Sequence, residues 1–87
     1  MQFHGQMESI AKLFGKVLKD HRKKKGLSQD ALATDSDLDR TYISQLERGR
    51  RTPSIETLFK IAQALGVTAS GMIREVEKLG GTRSKSH

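Results

Sequence analysis

Cysteine is missing from this 87-residue chain. Disulfides and thiolate metal sites are therefore excluded, and the absence fits a reducing, cytoplasmic setting. Long apolar runs are missing too. Nothing approaches the roughly 20 residues of a membrane span, and the start does not read as a signal peptide. Strand-like alternation is absent, and so is a glycine-rich phosphate loop, which would need a strand before it. Histidine is sparse: His4, His21 and His87 lie far apart, none with a carboxylate or nucleophile at a spacing that suggests chemistry. With no metal-ligand grouping and no cofactor motif, an enzyme is not expected.

What the chain has is positive charge, +6 formally with a pI near 10.0. Its length allows a single domain with a limited core. A basic small domain points to an acidic partner, nucleic acid or a membrane surface. The charge is grouped. KDHRKKK at 19–25 and RGRR at 48–51 are basic, whereas residues 28–39 hold Asp30, Asp35, Asp37 and Asp39 and no lysine or arginine. Residues 80–87, GGTRSKSH, offer no apolar side chain to bury and are expected to form a disordered basic tail. Residues 1–7 are expected to be poorly ordered, which leaves a domain over 8–79.

Five helical patterns fill that span, so the fold class is all-α. Ile10, Leu13, Phe14, Val17 and Leu18 recur at helical steps and predict a first helix over 8–24, stopped by Gly26. Ser28 starts a second, which carries Leu32 and Ala33 inward and ends near 34–36. Asp39 starts a third, which finishes at Gly49. Pro53 and Ser54 lead into a fourth that packs Ile55, Leu58, Ile61, Ala62 and Leu65 before Gly66. Thr68 starts a fifth, with Met72, Ile73, Val76 and Leu79 on one side, before Gly80 and Gly81.

The third helix, residues 40–48, has two unlike sides. At about 100° per residue, with Thr41 at zero, Gln45 falls near 40°, Arg48 near 340° and Ser44 near 300°, while Leu46 and Ile43 fall near 140° and 200°. Two aliphatic anchors therefore oppose a slim polar face, with Arg40 at its exposed start. Arginine can bind guanine in bidentate fashion and glutamine can do so for adenine; threonine and serine hydroxyls suit several bases. RGRR follows where a phosphate backbone would pass. The short turn SDLD joins this helix to the second, and Leu32, Ala33, Leu38, Ile43 and Leu46 can share one core. That is the spacing of a helix-turn-helix, whose second helix enters the major groove.

Residues 27–67, LSQDALATDSDLDRTYISQLERGRRTPSIETLFKIAQALGV, resemble the helix-turn-helix domain of the Cro/C1-type (XRE) transcriptional regulators. SQDALA, YISQLERG and TPSIETLFKIAQALGV occur in order and without a gap. LDRTYIS is also similar to the restriction-modification controller proteins. The resemblance implies a five-helix bundle of the lambda-repressor-like type that binds a palindromic operator as a homodimer. It implies base contacts from Arg40, Thr41, Ser44 and Gln45, and phosphate contacts from Gln29, Tyr42, Arg48, Arg50 and Arg51. Gln29 would also buttress the third helix. It further implies a partly buried structural salt bridge between Arg22 and Glu47. The turn between the second and third helices usually holds a glycine in this family. Asp37 stands there, and aspartate tolerates the left-handed conformation better than most residues.

A dimer lets two recognition helices read half-sites about one DNA turn apart. Its expected surface is the fifth helix, Met72, Ile73, Val76 and Leu79, with Leu65 and Val67 able to join. Asp30 suits the helix dipole, while Asp35 has no such account. The resemblance implies that both could contact RNA polymerase, as acidic patches do in activating members. Antitoxins that use the same fold to bind DNA and a protein partner are the alternative, with little chain left here for a toxin-binding region. A membrane role is not expected, because the first helix needs its apolar stripe for the core.

Overall fold

The computed structural model describes residues 9–81. The expectations for residues 1–7 and for the tail past Gly81 lie outside them. Five helices follow in order: α1 (Ile10–Lys24), α2 (Gln29–Ser36), α3 (Arg40–Glu47), α4 (Ile55–Leu65) and α5 (Ala69–Val76), with a wider terminal turn over Glu77–Gly81. No strand occurs among the described residues.

Helix starts follow local chemistry. Ser9, Ser28, Ser54 and Thr68 each accept the backbone N–H three residues on, at 3.1, 3.0, 3.0 and 2.9 Å. Each such cap stabilises its helix by about 1 kcal/mol. Ser9 rather than Glu8 sets the start of α1. Asp39 holds the cap position of α3 with extended backbone, but its side chain makes no capping hydrogen bond. The expectation of an aspartate cap there is corrected: only the backbone carbonyl of Asp39 accepts, from the N–H of Ile43.

Helix ends share one device. Gly26, Asp37, Gly49 and Gly66 adopt φ of 76, 59, 74 and 74°. The N–H after each closes back onto the preceding helix: Leu27 to Arg22, Leu38 to Ala33, Arg50 to Gln45 and Val67 to Ala62. This satisfies carbonyls that the helix leaves unpaired and reverses the chain tightly. Asp37 does at the helix-turn-helix corner what glycine does at the other three. Ser36 belongs to the last turn of α2 rather than to the loop. It is buried, and its hydroxyl donates to the Leu32 carbonyl at 2.6 Å.

The core joins all five helices. Leu18, Leu32, Ile43, Leu46, Ile61 and Met72 are completely enclosed, with Leu27, Leu38 and Tyr42 packed at its margin. Three expectations change. Met72 and Val76 are taken up by the core of their own chain, because α5 packs against both α1 and α4. Ile55 is 72% exposed instead of packed. Leu58, Ile61, Ala62 and Leu65 define the inward stripe of α4, and Ile55 lies about 70° from its centre, beside Phe59. His21 has a carboxylate partner after all: its Nε2 lies 3.0 Å from both oxygens of Glu75. That contact ties α1 to α5 across 54 positions of sequence.

Gly15 fixes how α1 crosses α3. A Cβ there would come within 2.6 Å of the backbone oxygens of both Leu46 and Glu47. No side chain fits, so the last turn of α3 rests directly on the backbone of α1. In an open helical position Gly→Ala stabilises by up to about 1 kcal/mol. Here Gly15→Ala is expected to destabilise by about 1–3 kcal/mol, the scale of overpacking. Urea unfolding checks the sign.

Candidate nucleic-acid interface

Helix α3 is held from behind by one carboxylate. Glu47, with its side chain 3% exposed, receives Arg22 Nε at 2.6 Å. It also receives Arg22 Nη2 and Gln29 Nε2, both at 3.0 Å. Arg22 Nη1 donates to the Leu27 carbonyl at 2.9 Å. A fork-to-fork guanidinium–carboxylate pair carries direction as well as charge. It joins α1 to α3, and Gln29 adds α2. Among the described residues no buried side-chain polar atom lacks a partner. The hydrogen bonds to Glu47 raise the Arg22 pKa above its ordinary value, burial pulls it down, and the charge attraction raises it again. A raised basic pKa stabilises the fold at every pH below the unfolded value and is lost only as pH rises through the folded one. The Arg22 contribution therefore stays constant across neutral and moderately alkaline pH.

With Ile43 and Leu46 enclosed behind it, α3 turns its polar side outward. Arg40, Thr41 and Arg48 are exposed, and Ser44 and Gln45 are half-buried. Thr41, Ser44 and Gln45 lie on α3 opposite the two anchors; Arg40 is its first residue, and Arg48 is its C-cap, so the helix ends at Glu47 rather than at 48. Arg40 also has a neighbour the sequence did not suggest: its Nε lies 3.3 Å from Asp30 Oδ1 on α2.

The loop after α3 brings the remaining cations round. The reversal at Gly49 places Arg50 and Arg51 directly beyond the helix, both exposed. The Arg51 guanidinium carbon sits 5.2 Å from the centre of the Tyr42 ring. Such a contact contributes about 0.5–1 kcal/mol at an exposed site, and here it steadies a loop arginine over a half-buried ring. A Cβ on Gly49 would lie 2.6 Å from Lys12 Cγ and 2.9 Å from Lys12 Cα. Lys12, on the first turn of α1, therefore borders the same loop. Neither Lys12 nor Gly15 was singled out from the sequence. An isolated glycine inside a strong helical pattern was the available signal, since it often marks a close approach.

No group of histidine, cysteine, aspartate or glutamate among the described residues could hold a metal ion. No helix among them is long and apolar enough to cross a membrane.

Comparison with known proteins gives consistent matches. The helix-turn-helix family matches residues 18–71. Control protein C.MunI from Mycoplasma sp is 45% identical over 73 residues, which span 83% of this chain and 99% of that protein. Control protein C.BamHI from Bacillus amyloliquefaciens is 42% identical over 66 residues, 75% of this chain and 82% of that protein. Among solved structures, the restriction-modification controller protein C.AhdI from Aeromonas hydrophila superposes with a TM-score of 0.68 at 41% identity, covering 76% of this chain and 94% of that one. The clp gene regulator ClgR from Corynebacterium glutamicum gives 0.79 at 30% identity, covering 85% and 95%.

Removing one member of a buried ion pair strands the other. Glu47→Ala is expected to lower stability by about 3–5 kcal/mol, whereas joint replacement of Arg22 by Met and Glu47 by Leu restores much of the loss. Chemical denaturation of the three variants measures both.

Proposed function

The chain belongs to the helix-turn-helix family of DNA-binding transcriptional regulators, and from that premise we propose that it reads a palindromic operator as a homodimer, in the manner of a restriction-modification controller protein. The carrying observation is the exposed face of α3, held rigid by Glu47, with Arg50 and Arg51 at its end. Arg40, Thr41, Ser44 and Gln45 meet base edges. Gln29, Tyr42, Arg48, Arg50 and Arg51 meet phosphates, with Lys12 alongside. The similarity to the control proteins, nearly end to end for C.MunI, supports the subtype.

The dimer surface is redrawn. With Met72 and Val76 inside, the large apolar side chains left open on α4 and α5 are Ile55, Phe59 and Ile73, at 72, 61 and 43% exposure. Ile55 and Phe59 are one turn apart on α4, and Ala69 and Ile73 one turn apart on α5. Phe59, Val67 and Ala69 line a shared depression at the junction of these helices. Leu79 lies elsewhere, beside Val17 of α1. A patch of this kind on a small soluble domain suits burial against a second copy. The acidic edge of α2, Asp30 and Asp35, is the part of the proposal that would meet RNA polymerase.

Gln45→Ala is expected to relax base preference at one operator position by about 1–3 kcal/mol. Arg50→Ala should weaken all duplexes alike and lower the salt slope by about 0.9. Gel-shift titrations on operator and scrambled DNA at several salt concentrations separate the two; equal loss of preference in both would contradict the assignment. Phe59→Lys should yield a folded monomer by sedimentation, with weakened operator binding. An unchanged mass would place the interface elsewhere.

A further inference from the structure

Arg40 is not independent of the rest of the motif. Its Nε is 3.3 Å from Oδ1 of Asp30, so the contact bridges α2 and α3 across the helix-turn-helix corner. The two side chains are 62% and 77% exposed, and an ion pair this open adds little to the fold. Ser28 already caps α2, and the first-turn position of Asp30 adds only a small, solvent-screened dipole contribution. Within a DNA footprint a carboxylate is unfavourable, since every phosphate repels it. A residue with little structural value and an electrostatic disadvantage, placed against a base-reading arginine, points to a role in selectivity.

We propose that Asp30 is a positioning residue for Arg40. It engages the guanidinium through Nε and leaves the two terminal NH₂ groups for the base. Two parallel N–H donors suit the O6 and N7 acceptors of guanine. Arginine is otherwise a long, freely rotating side chain, and ordering it before binding reduces the entropy lost on contact. The Asp30 charge also penalises every complex in which Arg40 finds no such acceptor pair. Discrimination thus comes from attraction at the right base and repulsion elsewhere. This role rests on the reading of α3 as the recognition helix.

The test is a set of fluorescence anisotropy titrations at fixed salt with the full chain, Asp30→Asn, Arg40→Ala and the double variant. The duplexes are an operator selected from a random pool, the same operator changed at the base pair where Arg40→Ala relaxes preference, and a scrambled sequence. Asp30→Asn should bind scrambled DNA about threefold tighter, the scale of one exposed charge contact. Its preference for the selected over the changed operator should fall about fivefold, within the value of one bidentate contact. In the Arg40→Ala background, Asp30→Asn should leave that preference unchanged, which is the signature of coupling. Asp30→Ser serves as a second neutral variant, and thermal melts confirm that each remains folded. Unaltered preference in Asp30→Asn, or the same fall with and without Arg40, overturns the proposal. So does a loss of transcriptional activation with all binding unchanged, which would leave Asp30 with the polymerase contact alone. If the pool yields no consensus with the unaltered chain, the recognition reading itself fails, and the role of Asp30 fails with it.

Discussion

Glu47 fastens α3 to both of its supports. Its carboxylate takes Arg22 from α1 and Gln29 from α2, almost out of contact with water. Buried ion pairs are poor sources of net stability, because desolvation cancels most of the attraction. What this one supplies is direction. Two parallel hydrogen bonds resist rotation and sliding in a way that Ile43 and Leu46 alone, as apolar anchors, do not. Gly15 adds a hard stop, since the last turn of α3 lies against bare α1 backbone. A helix of eight residues could not hold a fixed orientation unaided. Base readout demands one, because misplaced donors lose most of their value.

The outward face follows from that fastening. With two aliphatics and a glutamate committed inward, the remaining positions of α3 carry hydroxyls, an amide and one arginine, Arg40, with Arg48 at the C-cap. The left-handed turn at Gly49 then reverses the chain within two residues. Arg50 and Arg51 follow directly beyond the helix, and the Arg51 guanidinium sits over the Tyr42 ring. Lys12 reaches the same border from a distant part of the sequence. In the proposed complex, cations at the margin supply affinity without sequence information, while the helix face between them supplies selection.

The acidic stretch qualifies this picture. A purely basic surface would bind any duplex. Asp30 stands against Arg40 at the start of α3, so the charge of the motif is mixed at the point where the proposed readout begins. The apolar face on α4 and α5 works on a larger scale. In the proposed dimer, two copies joined there would double the number of bases read and make occupancy rise steeply with protein concentration.

The helices and their ends were legible along the chain because their causes are local. A serine or threonine three residues before a free N–H, a glycine able to adopt positive φ, and apolar steps of three and four act within one or two turns. Asp37 at the corner was legible for the same reason, as were the outward positions of α3. The family's motif is contiguous too, and it named Arg22 with Glu47 although periodicity alone could not have joined them. What remained hidden depends on which faces meet. Met72, Val76, Ile55 and Ile73 are equally apolar on paper. The packing of α5 against α1 and α4 sends the first two inside and leaves Ile73 exposed, while Ile55 stays in water because it lies off the inward stripe of α4. His21 with Glu75, Lys12 with Gly49, and Asp30 with Arg40 are pairs of short reach between residues far apart or on separate helices. No spacing rule connects them, because their distances are set by how rigid helices stack and not by the chain between them.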